Sequence, residues 1–242
     1  MLIKDKNADQ VVFAYSDIPN SYVMNKSAIV NAAGADFVLM GTEETQLKST
    51  KPVIAVCAVR TGSGKSQVSR KLFEILRKKE YKVASIRHPM PYDKDLTTQI
   101  VQRFANYQDL DKYNCTIEER EEYEPYIDMG GMIFAGVDYE KILRSAEEES
   151  DIIIWDGGNN DFSFIKPDLL ITLTDPFRAG HELSYYPGEL NARQADIIII
   201  NKVNTANPDD IEVVRHNLKM VNPDAQIIDG ISEIIVQEKE KF

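Results

Sequence analysis

The feature that most constrains the fold is a glycine-rich loop, Arg60–Ser66, which lies between an apolar run and a helix-patterned run. The apolar run, residues 53–58, predicts a buried strand, and apolar residues at helical spacing over 68–76 predict an amphipathic helix. A strand, a glycine-rich turn and a helix in this order direct backbone N–H groups into one concavity, which suits a polyphosphate. The sequence therefore predicts a phosphate-binding loop in an α/β domain.

The loop follows the Walker A pattern, G-x-x-x-x-G-K-[ST], except that Val59 stands where the pattern has its first glycine. In this pattern, Lys65 contacts the terminal phosphates and Ser66 holds Mg²⁺. We therefore expect ATP or GTP to bind here together with Mg²⁺. The predicted nucleotide-binding residues of the loop are Arg60, Thr61, Gly62, Ser63, Gly64, Lys65, Ser66 and Gln67.

Apolar runs alternate with helix-patterned segments along the rest of the chain. Nearly continuous apolar strands are typical of a parallel sheet with both faces covered, so the pattern predicts a doubly wound, mostly parallel α/β sheet. Ligands of such sheets bind at the carboxyl ends of the strands. Strands are predicted at 53–58, 82–87, 132–135, 151–155, 168–174, 196–200 and 226–229, and helices at 67–79, 97–106, 139–149 and 209–220.

Capping residues mark the starts of two helices. Thr116 and Glu119 have the spacing of a capping box, and the acidic helix that follows should end or bend at Pro125. Asp138 is expected to cap the helix over 139–149.

Residues 1–50 have the pattern of a separate unit. A predicted strand at 11–15, a helix at 22–33 and a strand at 37–40 precede a polar linker. Such a unit buries little surface by itself, so we expect it to dock on the main domain or on another chain. We interpret 1–50 as the remnant of an N-terminal α/β domain plus linker, and 51–242 as a P-loop NTPase domain.

Charge and composition argue against several classes of protein. The 28 Lys+Arg and 39 Asp+Glu residues give a net charge of −11, which argues against broad nucleic-acid binding. The sequence has no run of about 18 apolar residues, and its first residues lack the apolar core of a signal peptide. Cys57 lies in a predicted core strand, as expected for a reduced thiol. We expect a soluble, cytoplasmic protein without nucleic-acid or membrane partners.

Polar side chains gather at the predicted strand ends. Asp156 ends an apolar strand and fits the Walker B carboxylate, which orders Mg²⁺; a strand-ending aspartate in a glycine turn is the alternative interpretation. Asn201 and Lys202 stand where guanine-binding proteins carry the first two residues of N-K-x-D. The fourth position is Asn204, whose amide has one acceptor atom, so adenine is at least as well supported as guanine.

Arg60 is a candidate catalytic cation. Deviant Walker loops of the K-G-G-x-G-K-[ST] type place a second lysine here, which acts across a dimer interface. We hypothesise that Arg60 stabilises charge on the transferred phosphoryl group, in its own subunit or in the partner's, and forms the catalytic set with Lys65 and Asp156. A solvated loop arginine is the alternative, and a homodimer is expected.

Five more basic residues are candidates for holding an anionic second substrate. Guanidinium groups bind phosphate bidentately, and histidine adds a charge that depends on pH. Each residue alone could equally be an ordinary surface or capping residue. The candidates are Arg87, His88, Arg103, Arg178 and His181.

Five stretches resemble the cyclic 2,3-diphosphoglycerate synthetase family. They read PVIAVCAVRTGSGKS (52–66), RHPMPY (87–92), CTIEEREEYEP (115–125), WDGGNNDF (155–162) and YYPGE (185–189). The resemblance extends over nearly the whole chain and implies a P-loop protein related to dimer-forming ATPases and GTPases. Relative to that family, the chain is expected to lack most of an N-terminal α/β domain and a segment after the final helix.

The resemblance implies a reaction in which conversion of ATP to ADP and phosphate drives closure of 2,3-bisphosphoglycerate into a cyclic anhydride. ATP would phosphorylate one phosphate, and the other would displace that group inside a cluster of cations with Mg²⁺. The candidates for this cluster are Arg60 and the five basic residues above. A regulatory or chaperone-like ATPase or GTPase, whose nucleotide cycle drives dimer rearrangement, is the alternative.

Overall fold

A computed structural model of the protein describes residues 2–88, 96–157 and 161–233. Residues 89–92 of the RHPMPY stretch and residues 158–160 of the WDGGNNDF stretch lie outside these ranges. The strands are β1 (Gln10–Val12), β2 (Ile18–Pro19), β3 (Asp36–Val38), β4 (Val53–Ala58), β5 (Val83–Arg87), β6 (Gln102–Phe104), β7 (Met132–Ala135), β8 (Ile152–Asp156), β9 (Leu169–Thr174), β10 (Tyr185–Tyr186), β11 (Ile197–Ile200) and β12 (Gln226–Asp229). The α-helices are α1 (Leu2–Lys6), α2 (Asn20–Ala32), α3 (Thr42–Thr45), α4 (Lys65–Lys78), α5 (Tyr107–Lys112), α6 (Ile117–Asp128), α7 (Tyr139–Glu149), α8 (Gly188–Gln194) and α9 (Pro208–Val221).

Eight of the described strands form the central sheet, in the order β12-β11-β9-β4-β8-β5-β7-β6. All neighbours in it are parallel except β6, which is antiparallel to β7 at one edge. The predicted α/β fold with a mostly parallel sheet is confirmed. β4, the strand before the glycine-rich loop, pairs with β9 on one side and β8 on the other, so the loop emerges among other strand ends.

The sheet is covered on both faces, as its apolar strands require. Side chains alternate along β4, so that Val53, Ala55 and Cys57 enter one core, whereas Val56 and Ala58 enter the other. The first core is closed by α7, α8 and α9, and the second by α4, α5 and α6. In the described part of the chain, no helix is both long and apolar enough to cross a membrane.

The N-terminal unit is a small parallel pair, β1 and β3, with α2 between them in the chain. Two backbone pairings join the unit and its linker to the main domain: β2 with β10, and Leu47 with Ile165. Glu147 of α7 adds a further contact, because its carboxylate accepts hydrogen bonds from the N–H of Thr50 and the hydroxyl of Ser49. The predicted polar linker also contains the short helix α3.

The prediction of a helix over 97–106 is wrong. The segment forms a 3-10 turn at Leu96–Gln99 and then the edge strand β6, in which Gln102 and Phe104 are buried and Arg103 is half-buried. Burial that alternates every second residue is typical of a strand. By pairing with β7, β6 satisfies backbone groups of β7 that would otherwise be unpaired at the edge of the sheet. Helix α5, which the sequence pattern does not predict, follows β6.

Both predicted helix caps are confirmed. Thr116 and Glu119 form a reciprocal capping box at the start of α6. Asp138 accepts a hydrogen bond from the N–H of Lys141 at the start of α7.

Pro125 does not end α6, which continues to Asp128. A proline has no N–H to donate, so the carbonyl of Glu121, one turn earlier, loses its usual helical partner. The guanidinium of Arg70 donates to that carbonyl at 3.2 Å and replaces the missing bond.

Candidate nucleotide site

The glycine-rich loop connects β4 to α4 at the carboxyl edge of the sheet. Gly62 and Gly64 have φ angles of +80° and +100°, a backbone conformation that favours glycine. A Cβ at position 64 would also lie 2.2 Å from Nδ2 of Asn201, which donates to the carbonyl of Ser63 at 2.8 Å. The loop is therefore held by Asn201, and the unpaired amides at the start of α4 lie beside it.

Val59, which replaces the first glycine of the Walker A pattern, extends the course of β4. Its N–H donates to the carbonyl of Leu173 at 2.9 Å, and its side chain is buried in the core. A Cβ on Gly188 would lie 2.2 Å from the carbonyl oxygen of Val59. α8 therefore approaches the backbone of Val59 closely because residue 188 is a glycine.

Asp156, at the end of β8, is completely buried and accepts four hydrogen bonds. Burial alone raises the pKa of its carboxyl, but the charges of Lys65 and Arg87 outweigh burial and hold the pKa well below its ordinary value. Asp156 is therefore an ionised anchor for the Walker lysine. The donors are Lys65 Nζ (2.6 Å) and Ser69 Oγ (3.0 Å) to Oδ1, and Arg87 Nη1 and Tyr126 Oη (2.8 Å each) to Oδ2.

The predicted metal role of Asp156 fits these contacts only in part. Donors surround both of its oxygens, and it does not line the cavity at the loop, whereas Ser66 does. Over the ranges that the structure describes, no group of three or more His, Cys, Asp or Glu side chains could hold a metal ion. A Mg²⁺ ion at Ser66 would therefore take most of its ligands from a nucleotide and from water.

Arg87, predicted to bind substrate, is buried and paired. Its Nη1 donates to Asp156, and its Nη2 lies 2.9 Å from Oε1 of Glu122 on α6. Arg70 contacts the other oxygen of Glu122 at 3.2 Å. Burial lowers the pKa of Arg87, but the two carboxylates raise it by more, so the guanidinium stays charged. Cations and carboxylates alternate along this row and neutralise one another.

Lys202 ties the loop to the end of β9. Its Nζ donates to the carbonyl of Gly62 at 2.8 Å and to Oδ2 of Asp175 at 2.9 Å. Arg178 donates to the same carboxylate oxygen at 2.8 Å. Burial raises the pKa of Asp175, but these two donors lower it by more. Arg178, a predicted substrate residue, therefore has a carboxylate partner within its own chain.

Asn204, at the fourth position of the base-reading motif, binds the backbone of Ser232. Its Nδ2 donates to the carbonyl of Ser232 and its Oδ1 accepts from the N–H, each at 3.2 Å. The hydroxyl of Ser232 donates to Oδ1 of Asn201, also at 3.2 Å. The segment after β12 is thereby fastened beside the loop.

Arg60 is held by three groups. Its Nε donates to Oδ1 of Asp17 at 2.6 Å, and its Nη1 lies 2.8 Å from Nδ1 of His181. Its guanidinium carbon lies 3.7 Å from the centre of the Tyr185 ring. With 18% of its side chain exposed, Arg60 does not match the alternative of a solvated loop arginine.

A cavity of about 620 Å³ opens at the loop. Its walls carry both signs of charge, because Glu121 and Glu122 of α6 face the basic residues of the loop. Two predicted binding residues, Ser63 and Asn201, are buried behind the loop instead. The predicted residues that line the cavity are Arg60, Thr61, Gly62, Gly64, Lys65, Ser66, Gln67, Arg87 and Lys202.

The five predicted substrate residues are not brought together in one cluster. Arg87 lines the cavity. His181 contacts Arg60 of the cavity wall, and Arg178 contacts Asp175, which also holds Lys202 of that wall. Arg103 lies on the edge strand β6, where Nε and Nη2 both donate to Glu149 at 2.6 Å. His88 contacts the hydroxyl of Tyr139 at 2.5 Å, and burial lowers its pKa.

Several residues of the site are not among the predicted site residues, although Tyr185 and Glu122 lie in two of the stretches that carry the family resemblance. Asp17 and Tyr185 are far from the loop along the chain, and Tyr126 lies on a helix whose apolar pattern is weak. Glu122 lies in a run of acidic residues, which by itself indicates a solvated face. Short strand pairings and side-chain contacts, rather than motifs, bring these residues to the loop.

A second cavity, of about 250 Å³, lies where the N-terminal unit meets the main domain. Its walls are mainly apolar, with Phe13, Tyr15, Phe164 and Tyr186 beside the carboxylate of Asp161. The described residues that line it include no Lys, Arg or His, so it does not suit a phosphate group.

No family model matches the chain. The chain is 61% identical over 239 residues to the arginine synthetase ArcE of Thermococcus kodakarensis, which covers 99% of this chain and 53% of that protein. It is 31% identical over 101 residues to the cyclic 2,3-diphosphoglycerate synthetase of Thermococcus sibiricus, which covers 40% of this chain and 23% of that protein. LpxK from Aquifex aeolicus, solved with ATP, is 18% identical with a TM-score of 0.48, over 76% of this chain and 56% of that one. The chain thus spans about half the length of ArcE. Its similarity to the second synthetase covers 40% of the chain, whereas the sequence analysis expects a resemblance over nearly the whole chain.

Replacing Asp156 by asparagine should destabilise the fold by about 3–5 kcal/mol at pH 7, because two buried cations lose their counter-charge. The folded-state pKa of Asp156 is depressed, so its contribution is fully present above the unfolded pKa and is lost as pH falls toward the folded value. The difference between wild type and variant should therefore shrink below about pH 4. Urea unfolding at several pH values measures it.

Asp138→Asn is the matched control for this variant. Asp138 caps α7 at the surface, where asparagine caps equally well, so we expect a change below about 0.5 kcal/mol. A difference for Asp156→Asn that stays constant from pH 7 to pH 3 would contradict the assignment of an ionised, cation-paired carboxylate.

Proposed function

We propose that the chain is the nucleotide-binding part of an ATP- and Mg²⁺-dependent synthetase whose product is arginine. The observation that carries nucleotide binding is the cavity at the loop, with a volume of about 620 Å³. It is lined by the loop with its two positive-φ glycines, by the start of α4 and by the side chain of Lys65. The observation that favours arginine is the 61% identity to an arginine synthetase over 99% of the chain.

Phosphate binding begins with an exchange of partners at Lys65. Its ammonium group lies 2.6 Å from Asp156, and a nucleotide at the loop offers it phosphate oxygens instead. Asp156 then keeps Arg87, Tyr126 and Ser69 as donors, so the buried carboxylate remains compensated after Lys65 moves. The hydroxyl of Ser66 would bind Mg²⁺, which neutralises charge on the phosphates.

Arg60 is the proposed catalytic cation at this site. It lines the cavity, and its Nε and Nη1 are held by Asp17 and His181 of the same chain. These partners support action of Arg60 within its own subunit, on the charge that develops on the transferred phosphoryl group. The homodimer expected from the sequence stays a prediction.

The reaction follows from the chemistry of a guanidinium group. A ureido group carries one oxygen where a guanidinium carries a third nitrogen, and that oxygen is a poor leaving group. Transfer of the γ-phosphoryl from ATP to this oxygen releases ADP, and attack of ammonia on the carbon then expels phosphate and leaves the guanidinium. The paired state of Arg87 and Arg178 agrees with an acceptor that is not itself a polyanion.

Closure of 2,3-bisphosphoglycerate into its cyclic anhydride is the second candidate, favoured by 31% identity over 101 residues to a synthetase of that name. This reaction would require Arg87 or Arg178 to exchange a carboxylate partner for a substrate phosphate. A regulatory ATPase or GTPase is the third, and it would hydrolyse nucleotide without either acceptor.

Incubation with Mg·ATP should separate these functions. L-Citrulline plus ammonium should yield arginine by mass spectrometry and phosphate by ³¹P NMR, and Lys65→Ala should lower this turnover about a hundredfold or more. Lys71→Ala, on the exposed face of the same helix, is the control and should leave it unchanged. A cyclic anhydride formed from 2,3-bisphosphoglycerate would establish the second candidate, and hydrolysis that neither acceptor stimulates would establish the third.

Preference for adenine over guanine should depend on Asn204. Its amide is occupied by both backbone groups of Ser232, so it does not offer the two acceptors that a guanine edge requires. Asn204→Asp removes the bond to the Ser232 carbonyl and supplies a carboxylate, so the ratio of ATP to GTP affinity should fall by about tenfold.

The matched control is Asn207→Asp, which changes the N-cap of α9 to an equally good one and should leave the ratio unchanged. Calorimetric titration of both variants with each nucleotide measures the ratio. Tighter binding of GTP than ATP by the wild type would contradict the adenine assignment.

A further inference from the structure

Asp17 belongs to the N-terminal unit, yet it bridges two consecutive residues of the loop. Its Oδ1 accepts from Nε of Arg60 at 2.6 Å, and its Oδ2 accepts from the hydroxyl of Thr61 at 2.7 Å. The side chain of Asp17 is 20% exposed, so water competes only weakly for the pair. Its φ of +57° is uncommon for a residue other than glycine, which is a backbone feature often found at functional sites.

Several contacts fix Asp17 relative to the loop. It immediately precedes β2, which pairs with β10 of the main domain. Asn20, at the start of α2, donates through its N–H to the carbonyl of Ser184 at 2.9 Å and through its Nδ2 to Glu189 at 2.8 Å. The carboxylate is therefore anchored on the main domain although it comes from the N-terminal unit.

His181 holds the other side of the guanidinium. An arginine can only donate, so Nδ1 of His181 accepts, which requires a neutral ring with its proton on Nε2. Burial and the charges of Arg60 and Arg178 lower the pKa of His181, and Glu182 and Asp17 oppose this less strongly, so the ring is neutral at pH 7. The Tyr185 ring stacks on that of His181, with centres 4.5 Å apart.

We propose that Asp17 is a positioning residue for phosphoryl transfer, because it fixes the guanidinium of Arg60 at the wall of the phosphate cavity. This inference rests on the proposed function. Asp17 and His181 engage Nε and Nη1, which directs the remaining Nη2 edge of Arg60 to other ligands. A pre-oriented arginine loses less side-chain entropy when it binds the phosphoryl group during transfer. Because Asp17 comes from the N-terminal unit, that unit becomes part of the catalytic site.

A double-mutant cycle with Asp17→Asn, Arg60→Ala and both changes tests the proposal. The first readout is affinity for Mg·ADP with and without aluminium fluoride, which mimics the transferring phosphoryl group. Asp17→Asn should weaken the fluoride complex and lower kcat by about tenfold to a hundredfold, with affinity for Mg·ADP changed less than about twofold. In the Arg60→Ala background, Asp17→Asn should have a much smaller effect, because only its contact with Thr61 remains to be altered.

Two controls separate positioning from stability. Asp36→Asn, on β3 of the same N-terminal unit, should change neither readout. The pH profile of kcat should fall on the acid side as His181 gains the proton that displaces Arg60, and this limb should disappear in Arg60→Ala. Thr61→Val keeps the pair between Asp17 and Arg60, so it should lose less than Asp17→Asn.

The outcomes are distinct. If aluminium fluoride does not tighten the wild-type Mg·ADP complex, the proposed phosphoryl transfer fails, and this inference fails with it. If the complex tightens but Asp17→Asn leaves it unchanged, or weakens it equally in the Arg60→Ala background, only the positioning role of Asp17 is overturned.

Discussion

The site depends on one buried carboxylate. Asp156 lies at the end of β8 and joins three other elements: α4 through Lys65 and Ser69, β5 through Arg87, and α6 through Tyr126. A charge removed from water is tolerated only if donors surround it, and here two of the four donors are cations. Because the Walker lysine is one of them, the start of α4 is fixed against the sheet before any nucleotide arrives.

The same need for compensation shapes the charge of the cavity. Arg87 neutralises Asp156 on one side and meets Glu122 on the other, and Asp175 holds Lys202 and Arg178 in the same way. Among the described residues, five basic and two acidic side chains line the cavity, but each of the five cations already has a carboxylate partner within the chain. A ligand that brings its own counter-charge, such as a nucleotide with Mg²⁺, suits such walls better than a bare polyanion.

The loop, the apolar parallel strands of the central sheet, and the place of Asp156 at the end of one of them could be predicted, because apolar periodicity and a glycine-rich motif are local properties of the sequence. Arg103 was misplaced because β6 has three residues, too few for its alternation to be distinguished from a helix. The contact between Asp17 and Arg60 joins residues 43 positions apart through a two-residue strand pairing, and such a pairing leaves no pattern. The partner of Asn204 is the backbone of Ser232, which no residue type reveals.

Hydrogen–deuterium exchange with and without Mg·ATP tests the central claim, which is that nucleotide binds at the loop in a cavity closed by segments distant in the chain. Amides at 61–66, 201–205 and 230–233 should exchange more slowly with nucleotide, because they belong to the loop, to the Asn201–Asn204 segment or to the Ser232 segment fastened to it. Amides of α5, which follows the edge strand β6, should not change. Protection confined to the aromatic cavity beside Phe13 and Tyr186, with none at 61–66, would contradict the account.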